Sequence, residues 1–187
     1  MTASVQTLGP GYVAGTWEID PIHSDVSFAV RHMMVSKVRG RFRGVSGRIV
    51  TGADVIQSAV TAEIDVTTFD TGSAQRDEHI RSRDFLHAEE FPTMSFRSTG
   101  VRRDGEDLHV DGELTLHGVT RSVVLALEVT GFGPDAYGGT RVGFSATTKI
   151  NRRDFGIDIT LPIEGGTGVV VGDTVQITLD VQAVLQN

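Results

Sequence analysis

Six histidines (His23, His32, His79, His87, His109 and His117) and a run of carboxylates and guanidiniums between Ser73 and Glu90 are the residues of this 187-residue chain best equipped for chemistry. A compact zinc site would show His-x-His or His-Glu-x-x-His spacing, and neither is present. His109 and His117 fall on the polar side of one strand-patterned run, but eight extended residues separate them by about 26 Å. A metal site is thereby left to residues distant in sequence. Asp77, Glu78, Asp84, Glu89 and Glu90, with Arg76, Arg81 and Arg83, offer an acid–base cluster. In that cluster a His79/Asp77 pair would act as general base on a small molecule. The plainer reading is a solvated helix braced by pairs such as Asp77 with Arg81. There is no Gly-x-Ser-x-Gly elbow, Walker loop or dinucleotide fingerprint. Gly165-Gly166-Thr167-Gly168 lacks the Lys-Ser/Thr of a phosphate loop and leads into a strand pattern. No catalytic residue and no metal ligand is assigned.

The elements around these residues are mostly strands. Leu108, Val110, Gly112, Leu114 and Leu116 alternate with His109, Asp111, Glu113, Thr115 and His117. Val60, Ala62, Ile64 and Val66 alternate with polar residues in the same way, as do Val175, Ile177, Leu179, Val181 and Ala183. Alternation puts one apolar and one polar face on each strand. Such a sheet must bury its apolar face against a second sheet or by closing on itself. Strands are expected at Thr16–Ile19, around Val26–His32, at Val38–Val50, Ile56–Thr68, Thr93–Val101, Leu108–Leu116, Arg121–Thr130, Arg141–Ile150 and Thr174–Leu185. Residues 73–90 lose this period and contain good helix formers. Ser73 and Ser82 are plausible N-caps there, giving one broken helix or two short ones. In the Val38–Val50 stretch, Arg39, Arg41 and Arg43 share a face opposite Val38, Gly40 and Phe42. They are read as a solvated outer face, with contact to an anionic head group as the alternative.

Composition sets outer limits. The length suits one domain, with residues 1–15 as a flexible lead and 16–187 as the folded unit. Hydrophobic residues make up 39%, no run approaches a membrane-spanning length, and the net charge of −7 argues against nucleic acid as a partner. There is no cysteine for a disulfide or a thiolate. Residues 1–15 lack a basic n-region and an apolar core, so a cytoplasmic protein is expected. The interior is either a filled core or a ligand cavity, and composition does not choose. Small inner residues (Ala62, Gly112, Ala146, Thr148, Ala183) would leave space, and Phe28, Phe42, Phe96 and Phe144 are the main rings available to fill it.

Several blocks are more specific. Trp17-Glu-Ile-Asp-Pro-Ile-His-Ser-Asp-Val-Ser-Phe-Ala-Val-Arg-His32, followed by Gly40-Arg-Phe-Arg-Gly44, resembles the opening of the YceI-like family of polyisoprenoid-binding proteins. So do Asp65-Val-Thr-Thr-Phe-Asp-Thr71, Gln75-Arg-Asp-Glu-His-Ile-Arg-Ser-Arg-Asp-Phe85, Phe91-Pro-Thr-Met-Ser-Phe-Arg-Ser98, Gly112-Glu-Leu-Thr-Leu-His-Gly118 and Asn151-Arg-Arg-Asp-Phe-Gly156. The resemblance runs in order over about residues 16–185. It implies an all-β, extended antiparallel lipocalin-like barrel of about eight strands with a short helical insert. It also implies a homodimer, no cofactor, and no catalytic residues. The ligand it implies is a long amphiphilic isoprenoid, polyprenyl or isoprenoid quinone in type, threaded along the interior for carriage or storage. The candidate lining residues are Phe28, Val30, Phe42, Ala62, Ile64, Phe96, Leu114, Leu125, Leu127, Phe144, Ala146, Ile177 and Leu179. His23, Asp65, Arg76, Asp77, His79 and Asp154 are read as structural polar residues. The alternatives are the small-molecule enzyme above and a stress-related interaction protein with a filled core.

Overall fold

The computed structural model describes residues 9–161 and 170–187; the Gly165-Gly166-Thr167-Gly168 sequence and most of the N-terminal lead lie outside them. Its strands are β1 (Gly15–Ile19), β2 (Asp25–His32), β3 (Ser36–Phe42), β4 (Val45–Thr51), β5 (Ala59–Asp65), β6 (Thr93–Asp104), β7 (Asp107–Leu116), β8 (Val119–Pro134), β9 (Thr140–Asn151) and β10 (Val171–Leu185). One helix, α1 (Ala74–Arg81), lies between β5 and β6. All neighbouring strands are antiparallel, in the order β1-β4-β5-β6-β7-β8-β9-β10, and β10 pairs back onto β1 to close an eight-stranded barrel.

β10 is long enough to serve two partners. Its C-terminal end pairs β1, with Trp17 opposite Leu185 and Ile19 opposite Ala183. Its N-terminal part pairs β2, from Asp25–Asp180 to Val30–Val175. β1 and β2 therefore run end to end along β10, as β3 and β4 do along them. The expected Val38–Val50 strand is broken at Arg43 and Gly44. There the Thr68 hydroxyl accepts from both backbone N–H groups, at 3.1 and 3.2 Å, in place of a ladder partner. The upper half of the barrel closes through β4 and β5. In the lower half β5 has ended, and the outer edge of β3 meets only a bridge from Arg41 to Asp70 among the described residues.

The expected Ile56–Thr68 strand is also shorter, because acidic caps divert both ends into 3₁₀ turns. Asp54 forms a capping box with Gln57, and the Asp65 carboxylate accepts from Thr67 N–H at 2.9 Å. The helical insert is a single helix. Ser73 caps its start, whereas Ser82 caps its end, with its N–H on the His79 carbonyl. His117 is not on β7. It forms a two-residue hairpin turn with Gly118, both with positive φ, which matches the twist of the paired strands.

The upper end is plugged by Trp17, fully buried with Val142 and Ala183, its indole N–H donating to Thr51 Oγ1 at 3.0 Å. Tyr12 docks there through a 2.7 Å hydrogen bond to the Gly52 carbonyl and an edge contact with Phe132. Between β1 and β2 the chain leaves the ladder at Asp20-Pro21. Asp20 holds this corner: its carboxylate accepts from Arg141 at 2.7 Å and from Ile22 N–H at 2.9 Å, and lies 2.7 Å from His23 Nδ1. Burial raises the Asp20 pKa, but the hydrogen bonds from Arg141, His23 and Ile22 outweigh it and hold the carboxyl well below its ordinary value. A carboxyl depressed in the folded state stabilises the fold above its unfolded pKa of about 4, and that contribution is lost as pH falls through the folded value. Asp20→Asn is expected to lower stability at pH 7 by about 1–3 kcal/mol. In denaturant titrations at a series of pH values the gap from the parent should narrow progressively as pH falls below about 4.

Candidate functional site

An interior enclosed by eight strands is either filled by its own side chains or holds one small ligand. The upper half of the barrel is mostly of the filled kind. Its small residues leave little space because neighbouring rings occupy it. Phe96 lies over Gly112, so that a Cβ there would sit within the ring, and Ala183 is sealed against Trp17 and Val142. Ala146 is 3% exposed and packs with Phe96, Val110 and Leu125. Gly112 and Ala183 thus open no space, whereas Ala62 and Ala146 line what is left. The space that remains is an apolar pocket of about 130 Å³ lined by Ala62, Ile64, Phe96, Leu125, Leu127, Phe144, Ala146 and Leu179, among others.

The larger chamber, about 510 Å³, lies in the lower half, where the sheet does not close. Phe28, Val30, Phe42 and Ile177 line it, as expected from their inward parity on the strands. Other strand residues, among them Val26, Val38, Met94, Leu116, Ile150 and Val175, share the wall, and part of it comes from segments that strand patterning did not mark: Phe69 before the helical insert, Ile80, Phe85 and Leu86 within it, and Ile157 and Leu161 after β9. The available signal was the presence of these apolar residues in an otherwise charged stretch. The two chambers share no lining residue. Their walls meet in a packed partition that includes Val45, Ile64, Met94, Leu114 and Val181, with Phe144 against it. Leu114 lines neither space; it is partition. The interior is thus two stacked chambers, where a continuous tunnel was expected.

The wall around the lower chamber is tied down by polar side chains. Asp77 is 6% exposed and accepts from the Thr71 N–H at 2.9 Å and from its hydroxyl, fixing α1 to the preceding loop. The expected Asp77–Arg81 surface pair does not form, because α1 turns this face toward the barrel and Arg81 donates to the Phe69 carbonyl at 2.9 Å. Asp77 and His79 do not meet either: residues two apart on a helix face different ways, and His79 pairs with Asp84 at 3.0 Å. Arg76 reaches the Thr71 hydroxyl at 2.8 Å. At the end of β9, Arg152 is 4% exposed. It donates to the Ile157 carbonyl at 2.7 Å and the Gly172 carbonyl at 3.0 Å, with Asp173 at 3.1 Å. Burial lowers the Arg152 pKa, and Asp173 offsets part of that.

Polar lining groups of the lower chamber are, apart from Arg152, half-buried or exposed and come from two places: Arg31 and His32 at the end of β2, and Ser73, Gln75, Arg76 and His79 on or before α1. They mark a solvent-facing rim on an apolar cavity. Arg39, Arg41, Arg43 and Arg48 point outward and are exposed, as the solvated-face reading expects. No three His, Asp or Glu side chains converge on a common point among the described residues, and no described helix is long and apolar enough to cross a membrane.

The sequence model of the YceI-like domain matches residues 17–183. A UPF0312 protein of Vibrio cholerae is 40% identical over 139 residues, 73% of this chain and 74% of that one. Protein YceI of Escherichia coli is 38% identical over 158 residues, 83% of each chain. Among solved structures, the YCEI protein of Campylobacter jejuni superposes with a TM-score of 0.70 at 27% identity, over 84% of this chain and 90% of that one. A polyisoprenoid binding domain from Saccharophagus degradans superposes with a TM-score of 0.66 over 93% of this chain and 100% of that one; at 18% identity this is a likeness of fold.

Arg152→Met keeps the apolar stem and removes the charged donors. Two carbonyls then lose their donor, each worth about 1–3 kcal/mol when buried. The variant should be less stable by roughly 2–4 kcal/mol in urea unfolding, and limited proteolysis should begin after Ile157.

Proposed function

The chain belongs to the YceI-like family, and from that premise we propose that it is a non-enzymatic carrier or store for a long-chain amphiphilic isoprenoid, of polyprenyl or isoprenoid quinone type, and that it works as a homodimer. The observation that carries the reading is the lower chamber: an apolar space of about 510 Å³ whose exposed polar groups stand at one rim. That volume lies within the range of roughly 300–1,000 Å³ typical of small-molecule sites. Transfer of a tail into it is favourable by about 0.8 kcal/mol per methylene, less the cost of ordering the chain. Phe28, Val30, Phe42 and Ile177, with the stacked Phe28–Phe69 pair at 4.9 Å, would hold the tail. Arg31, His32, Gln75, Arg76 and His79 are placed to meet the head group.

The upper pocket has a different capacity. At about 130 Å³ it is close to the size of apolar cavities that stay dry and take one small hydrocarbon. In this reading Ala62, Ile64, Phe96, Leu125, Leu127, Phe144, Ala146 and Leu179 receive only the far end of a tail, when the partition at Phe144 and Ile64 yields. The enzyme alternative loses support because His79 engages Asp84 rather than Asp77. A filled core is at odds with the lower chamber.

Organic extraction of the purified protein followed by mass spectrometry is the direct test. An isoprenoid amphiphile at near-stoichiometric yield is expected; an extract without any, together with no uptake on titration, would sink the proposal. Ile177→Trp should fill the lower chamber and abolish co-purifying lipid, at a stability cost of about 1–3 kcal/mol from overpacking. Gln176→Trp, the same ring on the outer face, should retain it. Ala146→Trp should shorten the longest tail recovered without abolishing binding. Equal lipid content in the Ile177→Trp and Gln176→Trp proteins would place the ligand elsewhere.

A further inference from the structure

The hairpin joining β2 and β3 ends in Met33-Met34-Val35, exposed by 42, 55 and 87%. Met33 and Met34 both have left-handed backbone, at φ 51° and 63°. Asn or Gly adopts that conformation with little strain; an unbranched apolar side chain does not, and nothing in the fold rewards methionine there. The tip is nonetheless held in place, with Met33 N–H on the Val170 carbonyl at 2.8 Å and Val35 N–H on the His32 carbonyl at 3.2 Å. It stands at the mouth of the lower chamber, since His32 and Val38, on either side of it, both line that space.

A second feature surrounds the same tip. Arg31 and Lys37 sit directly opposite each other across the β2–β3 ladder, with Arg39 the next outward residue on β3. Like charges so placed repel. Among the described residues none of these three forms an ion pair, although the chain as a whole carries −7. A strained apolar tip and an unneutralised basic patch thus coincide at the rim of a lipid-sized cavity.

We infer that Met33–Val35 is a membrane-docking tip, which inserts at the surface of an anionic bilayer and brings the chamber mouth to the lipid from which the ligand is loaded. The inference rests on the lipid-binding reading of the chamber. A three-residue tip reaches only the headgroup and upper acyl region, about 5–10 Å deep. Arg31, Lys37 and Arg39 supply the attraction to anionic headgroups, each strengthening adsorption about fivefold. Binding should therefore weaken steeply with salt.

The test is co-sedimentation of the full chain with vesicles of phosphatidylcholine and phosphatidylglycerol, free of isoprenoid, beside vesicles of phosphatidylcholine alone. Adsorption to the anionic vesicles at low ionic strength, reversed by salt, is expected. Met34→Asn/Val35→Ser removes the apolar tip and relaxes the turn, because Asn tolerates left-handed backbone. It should melt no lower than the parent yet bind vesicles about tenfold more weakly. Lys37→Glu/Arg39→Glu should weaken binding by tenfold or more. Both variants should take up a detergent-solubilised isoprenoid amphiphile on titration as the parent does, because none of the four residues lines the chamber, so loss of docking and failure of the chamber reading are separately visible. No adsorption by the parent, or undiminished adsorption by the tip variant, overturns the inference. So does a parent dimer that the tip variant converts to monomer with no vesicle binding in either, which would make the tip a self-association surface.

Discussion

An eight-stranded antiparallel barrel that closes all its ladders has room for its own side chains or for one small ligand. That geometric limit governs how this molecule is built. Where β1, β4 and β5 complete the ring, aromatic rings fold over small residues such as Gly112 and the interior keeps only the smaller pocket of about 130 Å³. Where β1 and β4 give way to β2 and β3, and β5 has already ended, the ring is incomplete. A wall made of a helix and two loops can stand further from the axis than a strand can. The larger space lies where one ladder is left open, and the helical insert is the part that makes an open ladder tolerable.

Leaving a ladder open has a polar cost. Backbone groups that would have paired with a strand must find other partners, since buried N–H and carbonyl groups are rarely left alone. Thr68, Asp77, Arg81 and Arg152 supply them. Each is a side chain acting on main-chain atoms, and each lies at or beside the irregular wall. These residues resemble an active-site cluster in composition because the same groups that perform acid–base chemistry also satisfy backbone. Asp77 illustrates the difference. Its carboxylate takes both Thr71 hydrogen bonds on Oδ1 and the residue is 6% exposed, which suits an anchor.

Sequence periodicity reported the strands well because each has one buried face. The inward set Phe28, Val30, Phe42, Ile64, Phe96, Phe144 and Ala146 is inward in the structure. It could not report where that interior is empty. Alternation fixes which way a side chain points and carries no information about what stands opposite. Gly112 reads as a gap and is covered by Phe96; Phe69 and Phe85 read as loop and helix residues and form chamber wall. The strand breaks at Arg43-Gly44 and beyond Asp65 leave no mark on periodicity for a related reason. They depend on the Thr68 hydroxyl and the Asp65 carboxylate reaching backbone atoms, contacts that leave the local alternation intact.

The position of Trp17 has a spectroscopic consequence. It is the chain's single indole, wholly shielded and packed at the end of the barrel away from the α1-covered chamber. Its emission should be blue-shifted and insensitive to quenchers, and it reports whether the ring is closed. Because the partition separates it from the larger space, events beneath α1 leave that signal largely unmoved. Intrinsic fluorescence is therefore a gauge of the scaffold and a poor one of occupancy, which would have to be followed from an indole or a label introduced on the other side of Phe144.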